Sequence, residues 1–463
     1  MKKPIFSLLA IVLILGLVLA GCGSKNDAGA ASDSGTSSEA KGADSGSPDD
    51  QKQVTLKVAF FQGGYGDVWF KYLKEQFEAS HKNVTVELEG SPKMGEIIVP
   101  RIEGNTNVPD VVFLNGLDQM KKWGPSGKMV DITDLYAAPM PDGNTIQDTA
   151  TETALQSQQW LGKRYSVPWS QSPLGIVYNV DIFEKNGWTY PTTWEEMEKL
   201  ANEMKAKGIA PFTYPGIYAG YLSALVFPAY TQFGGDAFVN KLTNPQESDI
   251  PDLYKDPAFL KTYTQLESLF KNGWIMKGTQ ALDHTASQME FLNGKAAMIF
   301  NGAWMENEMK DSLPEGFRMR IMPIPPTSDA KVKEMMAVAD SRDWGGIPSA
   351  SKHIDVAKQF LLLASTEASN RKFTELTGAP RAFKYSIDGM SLSDFTKSAI
   401  EMLSAYKTVS YIYEPQAIGD GPSGVDFYAA IASGDMTPQQ VIDKNVGAAP
   451  DKWKEQQKTI NSK

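Results

Sequence analysis

The chain has 463 residues, 45 basic against 55 acidic, a net charge of −10, three histidines and one cysteine. The acidic excess disfavours nucleic acid and anionic lipid as partners of its surface. A lone cysteine excludes an internal disulfide, so the fold must rest on a large hydrophobic core, which this length allows.

At the N-terminus, Lys2 and Lys3 precede an apolar stretch, Phe6 to Ala20, of signal-peptide length and short for a membrane span. It ends in Leu19-Ala20-Gly21-Cys22, which resembles a bacterial lipobox, with cleavage before Cys22 and lipid attached to its thiol. The one cysteine stands where that motif requires it. Loss of residues 1–21, which hold Lys2 and Lys3, takes the basic count from 45 to 43 and the net charge from −10 to −12. Residues 22–53 are small and polar with nothing to bury, so they predict a flexible linker spanning roughly 30 Å as a random coil. The remaining body of about 410 residues has no second long apolar run. It is expected to be soluble, held to the membrane by lipid alone, and large enough for two lobes.

Strand and helix signals then alternate. VTLKVAFF (54–61) predicts a strand, VWFKYLKEQFEAS (68–80) a helix, and VTVELEG (84–90) and DVVFLNG (110–116) two further strands. This rhythm predicts an α/β sheet with helices on its faces. Thr193 and Glu196 form a capping box ahead of an apolar face of Trp194, Met197, Leu200, Ala201 and Met204, with Gly208 as the stop. Ala296 to Phe300 is a short apolar run that predicts a buried strand, broken by Asn301-Gly302 before Trp304 and the polar group Glu306, Asn307 and Glu308. Residues 355–367 and 438–446 predict helices.

Familiar catalytic and metal patterns are missing. His81, His284 and His353 form no HExxH and no close pair, and no metal or cofactor is expected. There is no GxSxG; GPSG (421–424) is a turn signal, and GGYG (63–66) falls short of a phosphate-binding fingerprint. Glu195, Glu196 and Glu198 occupy the solvated face of their helix. Two carboxylates distant in sequence could still serve a glycosidase, which spacing alone does not exclude.

Aromatic residues beside turns are abundant: Tyr65 and Trp69, Trp169 beside Ser170, then Tyr214, Tyr218 and Tyr221, and later Trp304 and Trp344. Each alone reads as core packing. As a set placed at breaks in an α/β chain, they suit a binding cleft, where flat rings cover the C–H faces of a sugar and polar side chains bond its edge.

The stretch YSVPWSQSPLGIVYNVDIFEKNGWTYPTTWEEMEKLANEMKAKGIAPF resembles the central signature of family 1 extracellular solute-binding proteins of ABC sugar importers. FLNGKAAMIFNGAWMENEM resembles a second signature of that family, and TPQQVIDKNVGAAPDKWKE its C-terminal helix. The likeness runs from about residue 54 to the end. GIAPFTYPGIY and GAWMENEM look most like the branch that binds N-acetylglucosamine and chitin oligosaccharides. The resemblance implies a two-lobed periplasmic-binding-protein-like fold of type II, hinged around a central cleft. Its lobes would be residues 54–169 plus 337–379 and residues 170–336 plus 380–463. It implies Trp304 as the stacking tryptophan of the second lobe, with Glu306 behind it, and Asn115-Gly116 as a contact turn of the first. Leu114 stands where an aromatic is often found there, and Tyr65 could substitute. Trp169 and Ser170 would face the cleft at the first crossover, and Tyr214 and Tyr218 would be supplied by the second lobe. Asp340 and Arg342 would either bond sugar hydroxyls or pair with each other.

The implied protein is a monomeric, non-enzymatic, lipid-anchored binding protein that closes on an oligosaccharide and presents it to ABC permease subunits. Two other classes remain open at this point. A secreted glycoside hydrolase would release reducing ends, and a non-closing surface protein would bind polymer without changing shape.

Overall fold

The computed structural model describes residues 52–461 apart from Leu161, Asn244 and residues 411–424. The expected signal peptide, Cys22, the linker up to residue 51 and the GPSG turn lie outside the described residues. Eleven strands are described: β1 Val54–Phe61, β2 Val84–Ser91, β3 Val111–Leu114, β4 Ser166–Pro168, β5 Ser172–Asn179, β6 Ala210–Thr213, β7 Ala296–Gly302, β8 Met319–Met322, β9 Met336–Asp340, β10 Trp344–Gly346 and β11 Lys407–Ser410.

They form two sheets. The first has the order β2-β1-β3-β10-β4, with β1 parallel to β2 and β3 and β10 antiparallel to β3 and β4. The second has the order β11-β9-β5-β7-β6, with β8 paired to β5 beside β9. Alternation along the strands sends residues to both faces. Val58, Phe60, Val111 and Phe113 enter one cluster, and Ala59, Val112 and Leu114 enter the cluster behind it. In the second sheet Ile176, Met298 and Phe300 face one way, and Val177 and Ile299 face the other. Both faces are covered, which is why these strands read as continuous apolar runs.

The chain passes between sheets at residues 169–171, from β4 to β5, and at 341–343, from β9 to β10. Because β9 pairs with β5 and β11, residues 337–340 stand in the second sheet, and that passage falls after Asp340 and not at 337. The helices Ile354–Ser365 and Glu367–Thr377 then pack on the helix Val68–Ser80, and Asp394–Ser404 packs back on β8 and β5.

Local rules hold at most expected elements. Val68–Ser80 buries Trp69, Phe70, Leu73 and Phe77. Trp194–Ala206 has the full Thr193/Glu196 capping box, a contact worth about 1 kcal/mol, and buries all five expected apolar residues. The C-terminal helix is longer than expected and runs Pro438–Asn461. Asn301-Gly302 does not break the chain. Both residues belong to β7, and Gly302 pairs with Leu174 of β5, so the turn comes two residues later.

Candidate functional site

The sheets meet through the loops at particular strand ends. In the first sheet these follow the carboxyl ends of the parallel strands β1 and β3. In the second they follow β6, β7 and β9, with the amino end of β5 alongside, since Ser172 pairs with Asp340 and Leu174 with Gly302. Carboxyl ends of strands are where open α/β sheets bind ligands.

Trp304 stands two residues beyond β7, ahead of the one-turn helix Met305–Glu308. It is partly buried, and its ring lies across Gly302, where a Cβ would sit 2.3 Å from Cζ3. The loop after β1 reaches it from the first lobe. A Cβ on Gly64 would stand 3.0 Å from the Trp304 Cβ, and Asn307 Nδ2 donates to the Gly64 carbonyl oxygen. Two glycines, one from each sheet, therefore let backbone approach the two ends of this side chain.

On the second lobe the ring has aromatic company. The Tyr221 ring meets Trp304 edge-on, with centroids 5.9 Å apart and planes at 79°. The Tyr221 hydroxyl is 2.9 Å from His284 Nδ1. Tyr218 stacks on His284 at 4.0 Å and 13°, with 45% of its surface exposed. Burial pushes the Tyr221 hydroxyl pKa up, with the Glu308 carboxylate adding to it, and burial lowers that of His284. Glu308 accepts from Gln288 Nε2 at 2.7 Å.

The segment carrying these tyrosines is pinned from below. Thr213 Oγ1 lies 3.0 Å from Thr279 Oγ1, and Ile217 N donates to Leu282 O at 3.1 Å. Gly216 sits so close to Thr279 that a Cβ would stand 2.0 Å from its carbonyl oxygen.

The passages between sheets carry a polar cluster. Ser170 Oγ donates to Asp343 Oδ2 at 2.5 Å, and the Trp169 N–H donates to Asp343 O at 2.9 Å. Tyr65 and Ser172 share a hydroxyl–hydroxyl bond, and Gln171 Nε2 donates to Ser341 Oγ at 3.0 Å. Burial, and then the neighbouring Asp340 charge, push the Asp343 carboxyl well above the usual carboxylate range. Arg381, only 2% exposed, donates to Asn370 Oδ1 and Ala364 O at 2.8 Å each and to Trp169 O, while its guanidinium lies 4.5 Å from the Trp69 ring centre. Burial lowers its pKa to about 9, which still leaves it charged at neutral pH. One arginine thus ties the first passage to the helices that follow β10.

Residues 63–370 match the family described as bacterial extracellular solute-binding protein. The chain belongs to that family. It is 26% identical over 394 residues to the diacetylchitobiose binding protein NgcE of Streptomyces coelicolor, covering 82% of each chain. Among solved structures it resembles the apo form of RafE from Streptococcus pneumoniae, with TM-score 0.66, 21% identity and coverage of 87% of this chain and 99% of that one. It also resembles a chitin oligosaccharide binding protein, with TM-score 0.68, 19% identity and coverage of 87% and 100%. The architecture is accordingly the two-lobed α/β fold of such binding proteins.

In this solute-binding protein the expected residues separate into groups. Trp304 and Tyr218 come together through Tyr221 and His284. Tyr65 and Ser170 come together at the passages, but both are buried, Tyr65 edge-on to Trp169 and Phe373. Trp169 does not face outward. It is 1% exposed, packs against Phe70 and Phe113, and its Nε1 has no hydrogen-bond partner among the described residues. Tyr214 is likewise core, 1% exposed and edge-on to Phe270.

Asn115 is exposed on the loop after β3, one residue beyond Leu114, which pairs with Trp344, and the carbonyl of Gly116 accepts from Trp344 Nε1 at 2.7 Å. Glu306 turns away from the platform to accept from Ser393 Oγ at 2.6 Å. Asp340 and Arg342 pair with each other, Nε to Oδ1 at 2.7 Å and Nη2 to Oδ2 at 2.6 Å.

Sequence reasoning missed His284, Asp343, Gly64 and Asn307, and left Tyr221 out of the site. Asp343 lay one residue from the expected Arg342, and Gly64 sat inside the noted GGYG run. Nothing local marks His284, which is brought to Tyr221 from 63 residues away.

Proposed function

We propose that this protein captures short oligosaccharides of β-linked N-acetylglucosamine, such as chitobiose, closes its two lobes on them and hands them to an ABC permease. The observation that carries the reading is the Trp304–Tyr221–His284–Tyr218 cluster at the carboxyl ends of the second sheet, with the Gly64 loop of the first sheet against it. A tryptophan ring with a rigid edge partner offers flat apolar area at small entropic cost, as a pyranose face needs. The resemblance to a diacetylchitobiose binding protein favours that sugar class. The proposed lobes are residues 54–169 plus 341–379 and residues 170–340 plus 380–463, and closure bends the passages between them. Trp304, Tyr221 and Tyr218 supply the apolar faces, and Asp343 and Asn307, both partly exposed, offer polar contacts. Lipid on Cys22 holds the body to the outer face of the membrane, and no helix among the described residues is long and apolar enough to cross it.

Calorimetry with chitobiose, raffinose and maltose tests the sugar class, and chromatography of the recovered chitobiose tests whether it is cleaved. Saturable binding of intact chitobiose supports the proposal. Release of monosaccharide would move the protein to the hydrolases, and binding of maltose alone would refute the sugar class.

A further inference from the structure

His284 lies beside the platform without touching the Trp304 ring in any stacked or edge contact. Asp283 caps its helix, His284–Leu292, through Ala286 N at 2.8 Å, which places His284 at the first helical position. From there the imidazole meets Tyr218 face to face and Tyr221 through Nδ1, while the Tyr221 ring edge meets Trp304. We propose that His284 is a positioning residue of the sugar platform, holding the Tyr221 ring against Trp304 through its hydrogen bond to the Tyr221 hydroxyl. This rests on the sugar-binding reading above, and it adds a dependence on the protonation of one side chain.

The chemistry follows from the two forms of the ring. A neutral imidazole with its proton on Nε2 accepts the Tyr221 proton at Nδ1. A protonated one has donors at both nitrogens, so the hydroxyl must turn to accept instead. The charged groups facing His284 are Asp283 on its own helix and Glu308 on the helix after Trp304, and its other titratable neighbours are Tyr218 and Tyr221. Both carboxylates favour the imidazolium, but burial outweighs them, and a helix N-terminus also disfavours a cation. The free protein therefore holds the neutral ring, and acid reverses the Tyr221 bond.

The test is chitobiose calorimetry between pH 5 and 8 on the full chain, on His284→Asn and on Tyr221→Phe. Asn keeps an acceptor near the place of Nδ1 but does not titrate. The wild type should lose affinity as pH falls through the lowered pKa of His284, beneath the ordinary imidazole value of about 6.5, by at most about tenfold per pH unit. That loss should be absent in His284→Asn and in Tyr221→Phe, the latter also binding more weakly at pH 8. An unchanged profile in His284→Asn overturns the proposal.

A second reading needs no sugar: the emission of Trp304, taken as wild type minus Trp304→Phe, should shift over the same pH range and stay constant in the His284→Asn background. A Trp304 emission indifferent to pH in the wild type also overturns it. If no sugar binds at any pH, the sugar-binding reading fails, and this emission still decides the role of His284.

Discussion

Truncation of Trp304 separates platform from core in one variant. A fully buried tryptophan replaced by alanine costs about 3–5 kcal/mol of folding stability. Trp304 is only partly buried, touches two core clusters and rests on backbone at Gly302 and Gly64, not in a closed cavity. Its loss should therefore cost the fold less, on the order of 1–2 kcal/mol at ~25 cal/mol per Å² of the apolar area it covers. Binding should suffer more. A stacked aromatic anchor is worth about 2 kcal/mol or more, roughly thirtyfold in dissociation constant. Calorimetry with chitobiose and a urea melt of the same Trp304→Ala preparation read the two quantities independently, and Trp304→Phe should recover part of the affinity. An alanine variant that binds as the wild type does but melts 3 kcal/mol early would refute the platform argument.

Three further outcomes are expected, two from the geometry and one from the sequence at Cys22. Asp343 holds its proton more firmly in the folded chain than in the unfolded one, so its contribution to stability is largest in acid and is lost as pH rises above the ordinary carboxylate value of about 4. Asp343→Asn, which keeps an acceptor for Ser170, should raise stability at pH 8 more than at pH 4; an equal effect at both would contradict the buried-carboxyl account. Arg381→Met should cost about 3–5 kcal/mol in a denaturant melt, since it leaves the carbonyls of Trp169 and Ala364 buried and unpaired; a loss under about 1 kcal/mol would show that they find other donors. Cys22→Ser should block lipidation and leave the protein soluble or unprocessed in a cell fractionation, and a mature body that still fractionates with membranes without its permease would end the single-anchor argument.

Much of the fold is legible because its determinants are local. The capping box at Thr193, the helical stripe from Trp69 to Phe77 and the apolar runs of β1 and β3 need no knowledge of distant residues. The helix Ser223–Gly234 is not legible in this way. It is buried on almost every side and carries Pro228, so no polar face gives it a period and a helix breaker interrupts its middle. Pro257–Lys271 is a different failure, for its signals were present: Asp256 as cap, Pro257 at the first turn and a stripe through Phe259, Tyr263 and Leu266.

The site divides along the same line, and the division explains why aromatic residues mislead. A tryptophan after a strand is visible in sequence, but whether its ring turns to the core or to the opening depends on what lies beneath. Under Trp304 lies Gly302, too small to fill the space, so the ring lies flat over backbone and keeps one part free. Trp169 also follows a strand, yet Phe70, Phe113 and Tyr65 already surround it, and the Arg381 guanidinium donates to its own carbonyl, so its ring becomes part of the hinge core. The same residue type at the same kind of boundary takes opposite roles because the neighbours, tens to hundreds of residues away, differ in volume. At Trp304 the small partners Gly64 and Gly302 stand against one side chain from two directions, and Asn307 Nδ2 bonds the Gly64 carbonyl beside it, so what decides the role of this ring lies in residues that a local reading of the tryptophan does not include.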